Sequence, residues 1–481
     1  MRVAFVHYHV KAGGVTRVME NALLGLGKTG SDFEVVVLSG HEPPENCVLP
    51  VKVVDGLGYV DAASGVDSVL LADRMEEAVK SQLGALPDVW HIHNSTLGKN
   101  PSTADAIAEL AKRGYHLVLQ IHDFAEDGRP ANYRLRQGAL QSPSAYPTGD
   151  RIHYVVLNRR DYKVLKLAGI SENHLHWLPN PVAMPEFDDD PVVNTTTGPE
   201  ELVVYPVRAV RRKNFGELLL HAALGHKRRS YVTTLGTTSG DFVDEYQQWQ
   251  EFSRELGLMV DFGVCERFEF SFPTLIDRAY CIITTSVAEG FGLGFLEPWM
   301  FGKTLVGRDL PEISEDFKSF GVQLDQLYSG IDIPIDTFRF DEFRSRLARM
   351  MEQFQASYGL VYDASGADLW VEHAVSDFKI DFAKLDEIAQ REIIEKVQAS
   401  PDLQKSVGSQ VNFEIEPAEH VDANATIIQN ELSIPKYGDR LQQIYETNLS
   451  GGSDNQQIEF ADSDMILEAF IGYERFLPLR S

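Results

Sequence analysis

Two carboxylates and a run of glycines stand close together between positions 284 and 303. In TTSVAEGFGLGFLEPWMFGK, Glu289 and Glu297 bracket Gly290, Phe291, Gly292, Leu293 and Gly294. A short β-favouring run at 281–285 leads into the glycines, which permit tight turning and close approach of a ligand to the backbone. From about Leu293 the pattern turns helical. Unpaired N–H groups at that helix start, with the positive end of the macrodipole, favour an anion or an oxygen-rich ligand. Two carboxylates so near would repel a diphosphate they touched, so their expected partners are the hydroxyls of a sugar and of a ribose. Taken alone, such a turn is a weak signal, because most glycine turns only connect a strand to a helix.

Three further stretches carry chemistry. Arg208, Arg211, Arg212 and Lys213 lie between a predicted strand and a helix start, where charge and dipole together make an anion site; a solvated basic loop is the plain alternative. Lys11-Ala12-Gly13-Gly14-Val15 makes a glycine turn between an apolar strand and an amphipathic helix, which is a Rossmann-like opening or only a tight turn. The segment 121–138, IHDFAEDGRPANYRLRQG, is too polar for a core, and reads equally as a solvated loop or as a ligand-facing surface. His91 and His93 share one strand face by the two-residue period, yet without a third ligand a hydrogen-bonded strand-end histidine is favoured over a metal pair. Asp188 to Asp190, and Asp462 with Asp464, read as solvated acids rather than metal ligands.

The elements that must position these residues alternate between strand and helix. Apolar strands are expected at 2–7, 33–38, 51–54, 89–93, 116–121 and 153–157, with helices at 16–26, 69–83 and 103–112 between them. That alternation predicts a parallel sheet covered on both faces, with ligands at the carboxyl ends of the strands, where His7, His93, Asn94, His122 and Asp123 fall. A second unit of the same kind follows, with strands at 202–207, 231–235, 258–262, 281–285 and 304–307. The fold class is therefore α/β, with two Rossmann-like domains. The domain at 1–181 is joined to the one at 201–435 through a proline-rich linker at 182–200. Arg308 and Asp309 are secondary site candidates. Helices are expected at 338–354, 381–397, 436–449 and 466–477, and no chemistry is assigned to the extra segment at about 357–433.

With 481 residues, two or three domains are expected. Hydrophobic residues make up 43% and charged residues 24%, which fits a globular chain. No apolar run approaches the ~20 residues needed to span a bilayer, and the amino terminus is too short and polar for a signal peptide. Cys47, Cys265 and Cys281 lack metal spacing and suit a reducing compartment, so a cytoplasmic location is expected. A formal net charge of -27 opposes binding to nucleic acid or anionic lipid and favours a soluble ligand. Composition does not fix the oligomeric state.

EGFGLGFLE resembles the glutamate, seven residues, glutamate motif of retaining glycosyltransferases of the GT-B fold, especially family four. The order of Gly13-Gly14, Arg208 with Lys213, and Glu289 with Glu297 is similar to that family, and the likeness runs to about position 320 and resumes after 436. It implies a nucleoside diphosphate sugar as co-substrate and a hydroxyl acceptor, with no metal and no other cofactor. It further implies that the two domains face across a cleft, with the helices at 436–481 crossing back to the first. By resemblance, Gly13 and Gly14 offer N–H groups to the donor diphosphate, which Arg208 and Lys213 also hold. Glu289 takes sugar hydroxyls, Glu297 the ribose, and Gly290, Phe291, Gly292 and Leu293 complete the donor side. His122 supports the transferred sugar, with Asp123 beside it. Asp127, Arg129, Asn132, Tyr133, Arg134 and Arg136 line the acceptor side, where arginines would fork to a phosphate or carboxylate. Asn214 replaces the family's usual glycine, and Pro181 stands where Pro-Asn-Gly is usual. Rival expectations are a GT-B phosphorylase, a sugar-nucleotide epimerase and a non-catalytic sugar-nucleotide-binding protein.

Overall fold

The structure, a computed structural model, describes residues 1–60, 65–183, 201–226, 228–267, 271–451 and 457–480. The linker from 184 to 200, with Asp188 to Asp190, lies outside the described residues. The chain divides into two compact units. Unit 1 comprises Met1–Ala183, Gln355–Leu360 and Asn430–Gly472; unit 2 comprises Met184–Phe354, Val361–Gln429 and Tyr473–Ser481.

Unit 1 is built on strands β1 (Arg2–Val6), β2 (Glu34–Ser39), β3 (Val51–Val53), β4 (Val89–His93), β5 (Leu117–Ile121), β7 (Ile152–Val156) and β8 (Leu175–Trp177). The short β6 (Pro147–Thr148) pairs outside this sheet, with Glu459–Phe460. The main sheet is parallel throughout, in the order β3-β2-β1-β4-β5-β7-β8. Its apolar strands alternate by the two-residue period of a pleat. Val3 and Phe5 face helices Gly14–Leu26 and Ile434–Ser450, while Ala4 and Val6 belong to the opposite core with helices Ser68–Leu83 and Thr103–Lys112. Both faces are covered, as an all-parallel sheet requires.

The helix Ile434–Ser450 returns the chain to unit 1 and crosses Gly14–Leu26 at a glycine pair. A methyl group built on Gly25 would lie 2.6 Å from the Ile434 carbonyl oxygen, and one on Gly438 would lie 2.2 Å from the Gly25 carbonyl carbon. Only hydrogen fits on either side. Tyr445, from the same helix, reaches under the sheet and bonds His91 Nδ1 at 2.7 Å, while His91 Nε2 meets Gln120 Oε1 at 2.9 Å. The return ends sooner than the periodicity suggests. Helix Ser463–Ile471 is capped by Asp462, whose carboxylate accepts the Asp464 and Met465 N–H groups, and Tyr473–Ser481 groups with unit 2.

Unit 2 carries β9 (Glu201–Arg208), β10 (Arg229–Leu235), β11 (Val260–Asp261), β12 (Cys281–Thr284) and β13 (Leu305–Gly307), parallel in the order β11-β10-β9-β12-β13. The segment without assigned chemistry is core structure here. Trp370, Ile393, Ile394, Val397 and Val407 join Tyr205, Leu218 and Ile283 in one apolar cluster. The helix expected at 381–397 is interrupted: Lys379–Asp381 is a strand, Asp381 caps a short 3-10 turn, and Asp386 caps helix Glu387–Ala399.

The glycine crossing gives a direct test. Gly438→Ala should destabilise the protein by about 1–3 kcal/mol, because backbone must move to admit one methyl group. A lowered urea midpoint with an unchanged slope would read this.

Candidate functional site

Ligands of open parallel sheets bind at the carboxyl ends of the strands, where the strand order reverses. In unit 2 that reversal lies between β9 and β12. The loops leaving these strands are stitched together there. Thr285 donates its hydroxyl to the Lys213 carbonyl at 2.9 Å, Tyr205 donates to the same carbonyl at 3.1 Å and meets Ser286 Oγ at 2.8 Å, and the Val287 N–H donates to the Arg212 carbonyl at 2.9 Å. The turn also needs an unusual backbone. Asn214 sits at φ +51°, in the left-handed region its glycine counterpart would occupy, and its carboxamide is fixed by Glu217 at 2.8 Å and Gln390 at 3.0 Å. Asparagine is among the few side chains that tolerate this region, so the substitution preserves the turn.

This stitching brings Lys213 onto Glu289 as an ion pair, with Arg212 Nη2 3.9 Å from the other carboxylate oxygen. Burial by itself would raise the Glu289 carboxyl, but Lys213 and Arg212 outweigh it and hold the group below the usual carboxylate range. Among the described residues no cation pairs with Glu297, and burial pushes its carboxyl up. The two glutamates of the motif are therefore electrostatically distinct. Arg208, the last residue of β9, is exposed, and its Nη1 donates to Thr238 Oγ1 at 3.3 Å.

The motif's helix is shorter than expected. A 3-10 turn, Leu293–Phe295, comes first, and a separate single α-turn, Glu297–Met300, follows with Pro298 in its first turn, so the helix-dipole contribution there is small. Gly292, at φ +91°, has a packing reason: a methyl group there would lie 2.7 Å from Ile313 Cγ2. Phe291 is buried against Phe317, with ring centroids 5.4 Å apart, whereas Leu293 and Gly294 are exposed and Gly290 is half-buried. Arg308, a secondary candidate, is instead a buried structural cation, bonded to Glu217 and Asp381 at 2.8 Å. Asp309 is paired with Lys318 at 2.9 Å.

In unit 1 the order reverses between β1 and β4. Asn94 holds this point at φ +56°, and its Oδ1 accepts the backbone N–H groups of His122 at 2.7 Å and Asp123 at 3.1 Å. A positive φ at asparagine leaves no mark in a sequence pattern, which is why its positioning role was not foreseen. His122 Nε2 meets His93 Nδ1 at 2.8 Å, His93 stacks on His91 with centroids 4.4 Å apart, and His7 Nδ1 bonds the His93 carbonyl at 3.3 Å. Burial drives His7 and His91 down to about 3 and His122 to about 4, so these imidazoles are neutral at ordinary pH. Among the described residues no group of three or more His, Cys, Asp or Glu side chains is placed to hold a metal. Gly14 starts its helix with Gly13 as cap, both exposed, and a methyl group on Gly14 would meet nothing within 4 Å.

The residues expected on the acceptor side divide. Arg129 is half-buried and bonds Asp123 at 2.5 Å, and its backbone N–H donates to Tyr358 at 2.8 Å. Asp127 lies 3.7 Å from Arg160. Asn132 is half-buried and Arg134 exposed, both on helix Pro130–Ala139. Tyr133 is buried against Tyr358, with centroids 5.3 Å apart. Arg136 corrects its expected role: at 1% exposure it is locked onto Glu126, itself 0% exposed, at 2.6 Å, and onto the Thr96 carbonyl at 2.6 Å, with Tyr146 donating to Glu126 at 3.0 Å. An arginine buried to this degree, with both terminal nitrogens on protein acceptors, is not presented to a ligand.

Two units, each with a parallel sheet wound in the Rossmann manner, define the GT-B fold of glycosyltransferases, and comparison with solved structures agrees. Anabaena Alr3699/HepE in complex with UDP aligns with a TM-score of 0.53 at 14% identity, covering 93% of this chain and 100% of that one. The lipopolysaccharide outer core galactosyltransferase WaaB aligns at 0.50 and 14% identity, covering 93% and 99%. Sucrose-phosphate synthase from Thermosynechococcus elongatus aligns at 0.50 and 12% identity, covering 93% and 98%. In sequence, the chain is 29% identical over 342 residues to mannosylglucosyl-3-phosphoglycerate synthase of Petrotoga mobilis, covering 65% of this chain and 66% of that protein. No family model matches.

Two outcomes test the arrangement. Arg136→Met strands a buried carboxylate at Glu126 and should cost about 3–5 kcal/mol in urea unfolding. The histidine cluster sets a pH dependence. Imidazoles held near 3 or 4 when folded, against about 6.5 when unfolded, let the unfolded chain take up protons first. Stability should be full above about pH 6.5 and decline as pH falls toward 4, by up to about 1.4 kcal/mol per unit for each histidine. Unfolding at pH 7.5, 6.5 and 5.5 measures it, and side-chain nitrogen shifts should show neutral rings at pH 5.5.

Proposed function

We propose that the protein is a retaining glycosyltransferase that moves a hexose from a nucleoside diphosphate sugar to a hydroxyl of a soluble acceptor. The observation that carries this reading is the Lys213–Glu289 pair at the strand reversal of unit 2, with Arg208 exposed at the end of β9. Glycosyl transfer must stabilise negative charge on the departing diphosphate. Arg208 and Lys213 supply two fixed positive charges where Glu289 accepts hydrogen bonds from sugar hydroxyls, and the unpaired Glu297 takes the ribose. Such a site needs no metal ion and no cofactor beyond the nucleotide sugar.

The sugar and the diphosphate are distinguished by the same pair. A carboxylate held ionised by Lys213 accepts from hydroxyls, while the ammonium keeps donors for the phosphate oxygen. In the proposed reaction that oxygen, as it leaves, takes the acceptor's proton on the same face of the sugar, so no covalent nucleophile is used. On unit 1, His122 Nε2 is bonded to His93, so its backbone carbonyl or the Nδ1 side of its ring is the group proposed to support the sugar. The exposed N–H groups of Gly13 and Gly14 are offered to phosphate, with space beside Gly14 for close approach. The Petrotoga relative, named for the synthesis of a sugar-bearing phosphoglycerate, supports a small soluble acceptor. No helix among the described residues is long and apolar enough to cross a membrane. The proposal places the reaction in the cytoplasm.

Removal of either cation should reduce turnover by about a hundred-fold or more. Arg208→Ala and Lys213→Ala should also abolish the thermal stabilisation that a nucleoside diphosphate gives the wild type. Nucleoside diphosphate release that depends on an acceptor, persists in EDTA and yields no converted nucleotide sugar supports the reading. Release without acceptor, or variants that behave as wild type, would end it.

A further inference from the structure

The arginines expected to meet an anionic acceptor are largely spent on the protein's own carboxylates: Arg136 on Glu126 and Arg129 on Asp123. A different cation stands at the same end of the sheet. Four loops leave the carboxyl ends of β1, β3, β4 and β5, and they carry His9, Tyr59, Lys99 and Asp123. The Lys99 ammonium lies 5.5 Å from the centre of the Tyr59 ring, and among the described residues no carboxylate pairs with it. In a chain with 71 acidic against 44 basic side chains, a half-buried lysine that pairs with no carboxylate among the described residues and sits on an aromatic ring stands out.

The aromatic beside it is equally placed. Tyr59 is 40% exposed, yet its ring is fixed edge-on by His9 at 4.9 Å and against Tyr8 at 5.2 Å. Its loop is tied to that of Lys99: the Lys99 carbonyl accepts the Val60 N–H at 3.0 Å, and the Asn100 carboxamide donates to the Gly56 and Gly58 carbonyls at 2.8 and 2.7 Å. Burial, then Lys11 and His41, lowers His9, which keeps a neutral ring able to donate and to accept. Burial, then Asp123, raises the Tyr59 phenol, which stays protonated. A fixed ring face suits the apolar face of a pyranose, and the adjacent ammonium suits an anion carried on it.

We propose that the acceptor is an anionic glycoside, a sugar bearing a carboxylate or phosphate, whose ring rests on Tyr59 and whose anionic group is held by Lys99. This rests on the transferase reading and names its acceptor class. Calorimetric titration of the protein tests it independently of turnover, with glucosyl-3-phosphoglycerate as the charged probe, glucosylglycerol as the uncharged one and UDP, GDP and ADP as the nucleotide controls. Wild type should bind the charged glycoside at least tenfold more tightly than the uncharged one. Lys99→Ala should erase that preference while binding the uncharged glycoside and UDP as wild type does, and Tyr59→Ala should weaken both glycosides. A wild type without preference for the charged probe, or a Lys99→Ala protein that keeps it, overturns the proposal. Failure of wild type to bind any of UDP, GDP and ADP would instead count against the transferase reading.

Discussion

A positive group in this protein stays available to an external anion only where the fold holds it away from the chain's own carboxylates. With a formal net charge of -27, that constraint governs which of the basic residues stay open to a ligand. Arg136 and Arg308 are buried, each with its terminal nitrogens bonded to carboxylates of the chain itself. Arg211 is held by Glu387. Arg208 and Lys99 are not so consumed, and each projects from the carboxyl end of a parallel strand or from the loop that follows it.

Lys213 is the intermediate case, and chemically the most informative one. Its partner is Glu289, so the pair is neutral at rest and the carboxylate stays ionised in a setting where burial alone would protonate it more readily. Glu297, eight residues along the same motif, has no such partner among the described residues. One motif therefore presents two carboxyl groups with different electrostatics, which is the kind of separation that lets neighbouring acids recognise different hydroxyls. The separation comes from a turn at Asn214 and from hydroxyls of Thr285, Tyr205 and Ser286, which hold the basic loop against the glutamate loop.

Asparagine in the left-handed region recurs as a device. Asn214 in unit 2 and Asn94 in unit 1 each stand at a strand reversal, each with its side chain fixed by hydrogen bonds that a glycine would lack. The side chain holds what the backbone turns toward: for Asn94 that is the start of the His122-Asp123 loop, for Asn214 the first turn of the helix behind the basic loop. Further from the sites, the glycine pair at 25 and 438 allows two helices to approach closely enough for Tyr445 to reach His91.

By itself the sequence determined the alternation of strand and helix, the two Rossmann-like sheets and the positions of Arg208, Lys213, Glu289 and Glu297 at strand ends, because periodicity and strand-end placement are local properties of the chain. What only tertiary structure decided was partnership. Arg136 and Glu126 are ten residues apart on different elements, Arg308 and Glu217 ninety-one, and Tyr59 and Lys99 forty, so no local pattern distinguishes a cation neutralised in the core from one left for a ligand. Burial and pairing follow from how loops meet at a sheet edge, and that meeting is set by strand order, which a linear pattern does not carry.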